Sequence, residues 1–186
     1  LNVKLKQMVE NGVIGKLHAI RAEFSFDVLK DVDADHWVLG KEMGGSAYDI
    51  GVYPISFSHF FADSKVSEFE TQKLPHPKFP CDFGMQSHVR YENGVDAFLQ
   101  SNWYYTPEHK GCGILAGAEG YIEIPAFWKS NKAYLHKNGS VEEISVEMES
   151  DFEGEVSHAA SCIEKGLIES PVLGEEMSLQ IIRIFS

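Results

Sequence analysis

From Lys65 to Glu147 the chain consists almost entirely of short runs in which apolar and polar residues alternate: VSEFETQKL, FGMQSHVRY, VDAFLQSNWYY, KGCGILAGA, GYIEIP, KAYLHK and VEEISVEM. Successive side chains on a strand point to opposite faces, so a period of two marks strands with one side on a core. Glu92-Asn93-Gly94 and Asn138-Gly139 supply tight turns between such runs. A segment built this way folds as a meander of mostly antiparallel strands.

The period changes on both flanks. Val3, Leu5, Met8 and Val9 fall roughly on one face of a helix that Asn11-Gly12 closes, and KLHAIRAEFSF alternates as a strand with Phe24 and Phe26 on its more apolar side. Ile50, Pro54, Phe57 and Phe61 recur at three or four, which predicts a helix over 47–61 after the pair Gly44-Gly45. Two further helices are expected, at about 154–166 and from about 175 onward. Helices at both ends of a long run of strands give an α+β fold: one large, open, mostly antiparallel sheet with helices packed on one face.

With 186 residues, 44% of them hydrophobic and 12% aromatic, the chain can bury one sizeable core, so residues 1–186 read as a single domain. A formal charge of −12 repels phosphate backbones and anionic lipid surfaces, which speaks against nucleic acid and membrane partners. Cys81, Cys112 and Cys162 are far apart and form no CxxC pair, which fits reduced thiols in a cytoplasmic protein. No apolar stretch reaches membrane-spanning length and no signal peptide opens the chain. The chain starts at Leu1 and stops at Ser186 inside an apolar pattern with no stop signal, so both ends are expected to be cuts in a longer protein.

Residues 43–57, MGGSAYDIGVYPISF, break local rules. Their apolar spacing demands a helix, yet an interior Gly51 costs about 1 kcal/mol and an interior Pro54 about 3 kcal/mol. Such conflicts arise where function or tight packing outranks propensity. On a helix Asp49 and Tyr53 lie one turn apart on one face, presenting a carboxylate beside a phenol. A phenol titrates near 10, so proton transfer at neutral pH needs a cation close by. The plainer assignment remains open on the residues alone: Asp49 as a helix cap and Tyr53 as a half-buried core aromatic.

The run Gly44-Gly45-Ser46-Ala47-Tyr48-Asp49-Ile50-Gly51-Val52-Tyr53 resembles the GG-x-x-x-D-x-G-x-[HY] signature of the Gfo/Idh/MocA oxidoreductases. Asn11 to Lys16 is similar to that family's junction into its first sheet strand, and Ala118-Glu119-Gly120-Tyr121-Ile122-Glu123 to its G-x-x-G-x-I-E hairpin. The close, from Glu155-Val156-Ser157-His158 through Cys162-Ile163-Glu164-Lys165-Gly166 to Pro171, resembles the dimeric dihydrodiol dehydrogenase branch. These pieces occur in the family's order over nearly the whole chain.

The resemblance implies the substrate-binding and catalytic half of an NAD(P)-dependent dehydrogenase acting on a secondary alcohol of a sugar, polyol or dihydrodiol. It implies that NAD or NADP is held mainly by an N-terminal Rossmann domain, absent here, which also carries a lysine in a Glu-Lys-Pro segment. In keeping with this, no GxGxxG or GxxxxGK[ST] loop occurs, and Gly111-Cys112-Gly113 opens no helix. This fragment alone should therefore be inactive. Tyr53 matches the family's acid/base position and Asp49 its signature aspartate. Phe24 matches an aromatic near the substrate in the dihydrodiol branch, with core packing as its other reading, and Trp37 lies in the loop entering the signature. Two departures touch specificity: Val38 follows Trp37 where many relatives have Arg, and the stretch between Val146 and Phe152 is short.

Glu155, His158 and Cys162 share a helical face but have no second ligand pair, and the acidic run Glu142 to Glu153 lacks calcium-loop order, so no metal is expected. Trp103, Tyr104 and Tyr105 read as exposed strand aromatics, and together with the family resemblance they suggest a homodimer through the open sheet face. The alternative to an enzyme is a non-catalytic sugar-binding or dimerisation module on the same fold.

Overall fold

In the computed structural model, which describes residues 1–185, the meander is an eight-stranded sheet. Helix α1 (Asn2–Glu10) leads into β1 (Leu17–Ser25), and a π-helical turn over Ala47–Gly51 runs into α2 (Val52–Ala62). The strands β2 (Val66–Pro75), β3 (Asp82–Tyr91), β4 (Asp96–Asn102), β5 (Cys112–Gly117), β6 (Tyr121–Pro125), β7 (Lys132–Lys137) and β8 (Ser140–Ser145) follow. The chain ends in α3 (Glu153–Glu164) and α4 (Glu175–Phe185). The spatial order is β2-β3-β4-β1-β5-β6-β7-β8. Only the β1–β4 pair is parallel, because the chain leaves β1, crosses by α2 to the edge at β2 and returns to β1's side with β4.

Alternation sends Ile20, Ala22, Met85, Val89, Leu99, Leu115, Ile122 and Ile124 to one side, where they meet Leu5, Ile55, Phe57, Phe61, Ile181 and Ile184 from α1, α2 and α4. The opposite face carries Arg21, Glu23, Gln86, His88, Phe98 and Gln100 around an open concavity. The α+β architecture with helices on one face is thus the observed one. Among the described residues no helix is long and apolar enough to cross a membrane.

Two expectations need correction. Trp103 is not an exposed strand aromatic: β4 ends at Asn102, and Trp103 is 1% exposed, at the centre of a second cluster with Phe24, Val28, Val38, Leu39, Ile50, Cys81 and Phe83. Tyr104 and Tyr105 do stay exposed. The helix expected as one piece over 47–61 begins instead with an i→i+5 turn, a feature that is rare and concentrates at functional sites.

Candidate active site

The rule-breaking segment is explained by what surrounds it. Gly45 has φ +115°, and a Cβ there would run into the Asp82 carboxylate. That carboxylate accepts the Ala47 backbone N–H at 2.8 Å, capping the helical start, and burial raises its pKa. A Cβ on Gly44 would collide with the Val38 and Gly40 carbonyl oxygens, while the Gly45 N–H donates to the Val38 carbonyl at 3.0 Å. The glycine pair therefore clamps the short turn Trp37–Leu39 against the start of the π-turn. Gly51 packs on the sheet: a Cβ would lie 3.1 Å from Met85 Cε and 3.3 Å from Ser101 Oγ. Pro54 lies where the π-turn has just passed into α2, so its missing N–H falls at the change from the i→i+5 to the i→i+4 ladder.

Tyr53 is 43% exposed, and no protein group among the described residues hydrogen-bonds its hydroxyl. Its ring meets Phe24 edge-on with centroids 5.3 Å apart. Phe24 in turn stacks flat on Trp128, at 3.7 Å between centroids and 8° between planes. Tyr53 and Trp128, with Phe57, Phe60, Val172 and Leu173, line an open groove of 460 Å³. Phe24 is buried, as its core reading requires, and its ring backs Tyr53 and Trp128 without itself lining the groove.

Asp49 is half-buried on the π-turn, and no hydrogen bond joins it to Tyr53. Burial raises its pKa, while the positive field of His36 works in the opposite direction. His36 accepts the Val38 N–H through Nδ1 at 3.3 Å and lies 5.7 Å, ring to ring, from Trp37, which is 65% exposed. The structure thus joins Tyr53 to Phe24, and places Asp49 in the field of His36 beside Trp37. Asp49 and Trp37 do not line the Tyr53 groove. Trp128 and His36 were missed from sequence. Trp128 sits in an aperiodic turn after β6, and His36 acts across a loop, so neither has a spacing that would reveal it.

The groove fits the reacting end of a nicotinamide cofactor in kind: a free phenol among aromatic walls, with no cationic cradle for phosphates. At α3, His158 Nε2 lies 2.8 Å from Ser170 Oγ and 3.5 Å from Cys162 Sγ. No group of three or more His, Cys, Asp or Glu side chains placed to hold a metal ion occurs among the described residues.

With this geometry in hand, known proteins give three kinds of likeness. The family model described as "GFO/IDH/MocA C-terminal domain" matches residues 2–123. The mouse trans-1,2-dihydrobenzene-1,2-diol dehydrogenase is 25% identical over 179 residues, covering 91% of this chain and 51% of that protein. The NADP(+)-dependent D-xylose 1-dehydrogenase of Haloarcula marismortui is 27% identical over 177 residues, covering 86% and 46%. Among solved structures, the aldose-aldose oxidoreductase of Caulobacter crescentus, complexed with glycerol, superposes with a TM-score of 0.82 at 17% identity, covering 98% of this chain and 55% of that one. The 3-ketoreductase KijD10 of Actinomadura kijaniata, in complex with NADP and TDP-benzene, gives 0.78 at 20% identity, covering 96% and 55%. The chain spans about half the length of the curated relatives it matches.

Proposed function

The chain belongs to the Gfo/Idh/MocA family, through that family's C-terminal domain, and on this premise we propose that it is the substrate-side half of an NAD(P)-dependent oxidoreductase. The substrate class is a small molecule with a secondary alcohol: a sugar, a polyol or a dihydrodiol. The relatives named above carry names for aldose, xylose and dihydrodiol chemistry, which supports that class. The observation that carries the reading is the exposed Tyr53 hydroxyl, without a protein partner, at the wall of an aromatic groove.

In this reading Tyr53 takes the proton of the substrate hydroxyl as the carbinol carbon gives up its hydride, and returns it in the reverse direction. A nicotinamide, when bound, supplies the hydride acceptor or donor. Phe24 and Trp128 hold the phenol and exclude water from one side of the groove. Asp49 offers a carboxylate to a substrate hydroxyl, tuned by His36, and Trp37 shields that end. The nucleotide itself is held by a separate N-terminal domain. The protein acts as a homodimer joined through the open sheet face.

Replacing Tyr53 tests the reading. In the full-length enzyme Tyr53→Phe is expected to lower kcat by roughly 100-fold or more with NAD(P) affinity nearly unchanged, measured by steady-state kinetics and nucleotide titration. Turnover at the parent rate would remove Tyr53 from the mechanism.

A further inference from the structure

The groove beside Tyr53 carries charge of one sign. Its walls are largely apolar, and the lining residues with side-chain nitrogen or oxygen are Asn2, Tyr53, Ser56, Trp128 and Glu155. Asn2 donates through Nδ2 to the Phe127 carbonyl at 3.1 Å, and its Oδ1 is buried without a partner. Ser56 follows Tyr53 by about one turn of α2, and Glu155 stands in the first turn of α3. Neither of these two side chains makes a hydrogen bond or ion pair among the described residues. No Lys, Arg or His among the described residues lines the groove; Lys129, next to Trp128 in the chain, is exposed and lies outside the lining. The charge on this surface is therefore the carboxylate of Glu155.

We infer that Glu155 determines specificity at this groove, admitting uncharged substrates with several hydroxyls and refusing those that bear a carboxylate or phosphate. The inference rests on the function proposed above and narrows its substrate class. An ionised carboxylate only accepts hydrogen bonds, so Glu155 offers two oxygens to substrate hydroxyls, in bonds stronger than those between neutral groups. Ser56 accepts or donates, and serves a further hydroxyl of the same ligand. An anion is refused on three counts. It gives up water against the rings of Phe57, Phe60 and Trp128, it finds no cation on the lining, and it lies in the field of Glu155. The uncharged counterpart of the same shape meets none of these penalties, so the repulsion works as discrimination rather than as a general loss of affinity.

Matched ligands test this in the full-length enzyme with NAD(P) bound: a panel of aldoses, polyols and cyclic diols, each against a carboxylated or phosphorylated counterpart. Binding is read from tryptophan fluorescence, since Trp128 lines the groove, and turnover from NAD(P)H absorbance. The uncharged member of a pair is expected to bind at least roughly 30-fold more tightly, and Glu155→Gln to cut that ratio by roughly tenfold. Glu155→Lys should cut it further. Glu155 is exposed and unpaired, so both variants should melt at the parent temperature, which separates lost discrimination from lost fold. A parent enzyme that binds the anions as tightly as their counterparts, or that binds no uncharged member of the panel, overturns the inference. So does a ratio that neither variant moves. Discrimination that follows Glu155 in an enzyme showing no hydride transfer would sink the proposed activity and leave the selectivity of the groove standing.

Discussion

Burial raises the pKa of the Asp49 carboxyl, and the charge of His36 pulls it back. Removing the charge removes the opposition: in a His36→Ala variant the Asp49 pKa is expected to rise further, read from its carboxyl carbon in an NMR titration. The deprotonated form, which alone accepts a hydrogen bond through both oxygens, would then appear only at higher pH. A fall or no change would show that His36 does not act on Asp49. At this scale the sequence was informative only where groups lie close along the chain. Asp49 and Tyr53 stand out because they share a helical segment, whereas His36 reaches Asp49, and Trp128 reaches Phe24 beside Tyr53, through tertiary folding. Phe24 is core by burial, and its contacts with Tyr53 and Trp128 come from tertiary folding that no spacing along the chain reveals.

The signature segment behaves as a unit whose glycines have different jobs, and their substitution should separate them. At Gly45 a side chain meets both an unfavourable φ of +115° and the Asp82 carboxylate that caps the next turn, so Gly45→Ala is expected to cost about 1–3 kcal/mol. At Gly51 the closest obstacle is the flexible end of Met85, at 3.1 Å, and alanine gains about 1 kcal/mol of helix propensity over glycine. Gly51→Ala should therefore lie near neutral. Urea unfolding of the two variants checks the order, and a larger loss at Gly51 would contradict this account of the turn. The strands were legible because a period of two has one geometric meaning, and the hairpins at Asn93-Gly94 and Asn138-Gly139 because their residues fit few other backbones. The π-turn was not, since apolar residues at three and four do not distinguish an i→i+4 ladder from i→i+5.

For the whole molecule the subunit contact proposed above lies on the open sheet face. Register puts Glu70, His88, Phe98 and Arg21 in one row across four strands, and Gln72, Gln86, Gln100 and Glu23 in the next. Phe98 is 53% exposed and lies flat against His88, at 4.8 Å and 3°. Asp96 receives both His88 Nε2, at 2.8 Å, and Arg90 Nε, at 3.0 Å, so charges on this face balance locally even though the chain as a whole is strongly acidic. Carboxamides donate and accept alike, and a row of them can meet its own copy across a two-fold axis, with Phe98 beside it as the apolar centre. Trp103, turned inward, contributes nothing to this face. Phe98→Lys would put a like charge beside Arg21 and opposite its symmetry mate while touching no core contact. Sedimentation velocity should then show the dimer replaced by monomer at tens of micromolar protein, with Tm within a few degrees of the parent. A parent protein already monomeric at that concentration, or a Phe98→Lys variant that stays dimeric, would move the subunit contact off the sheet.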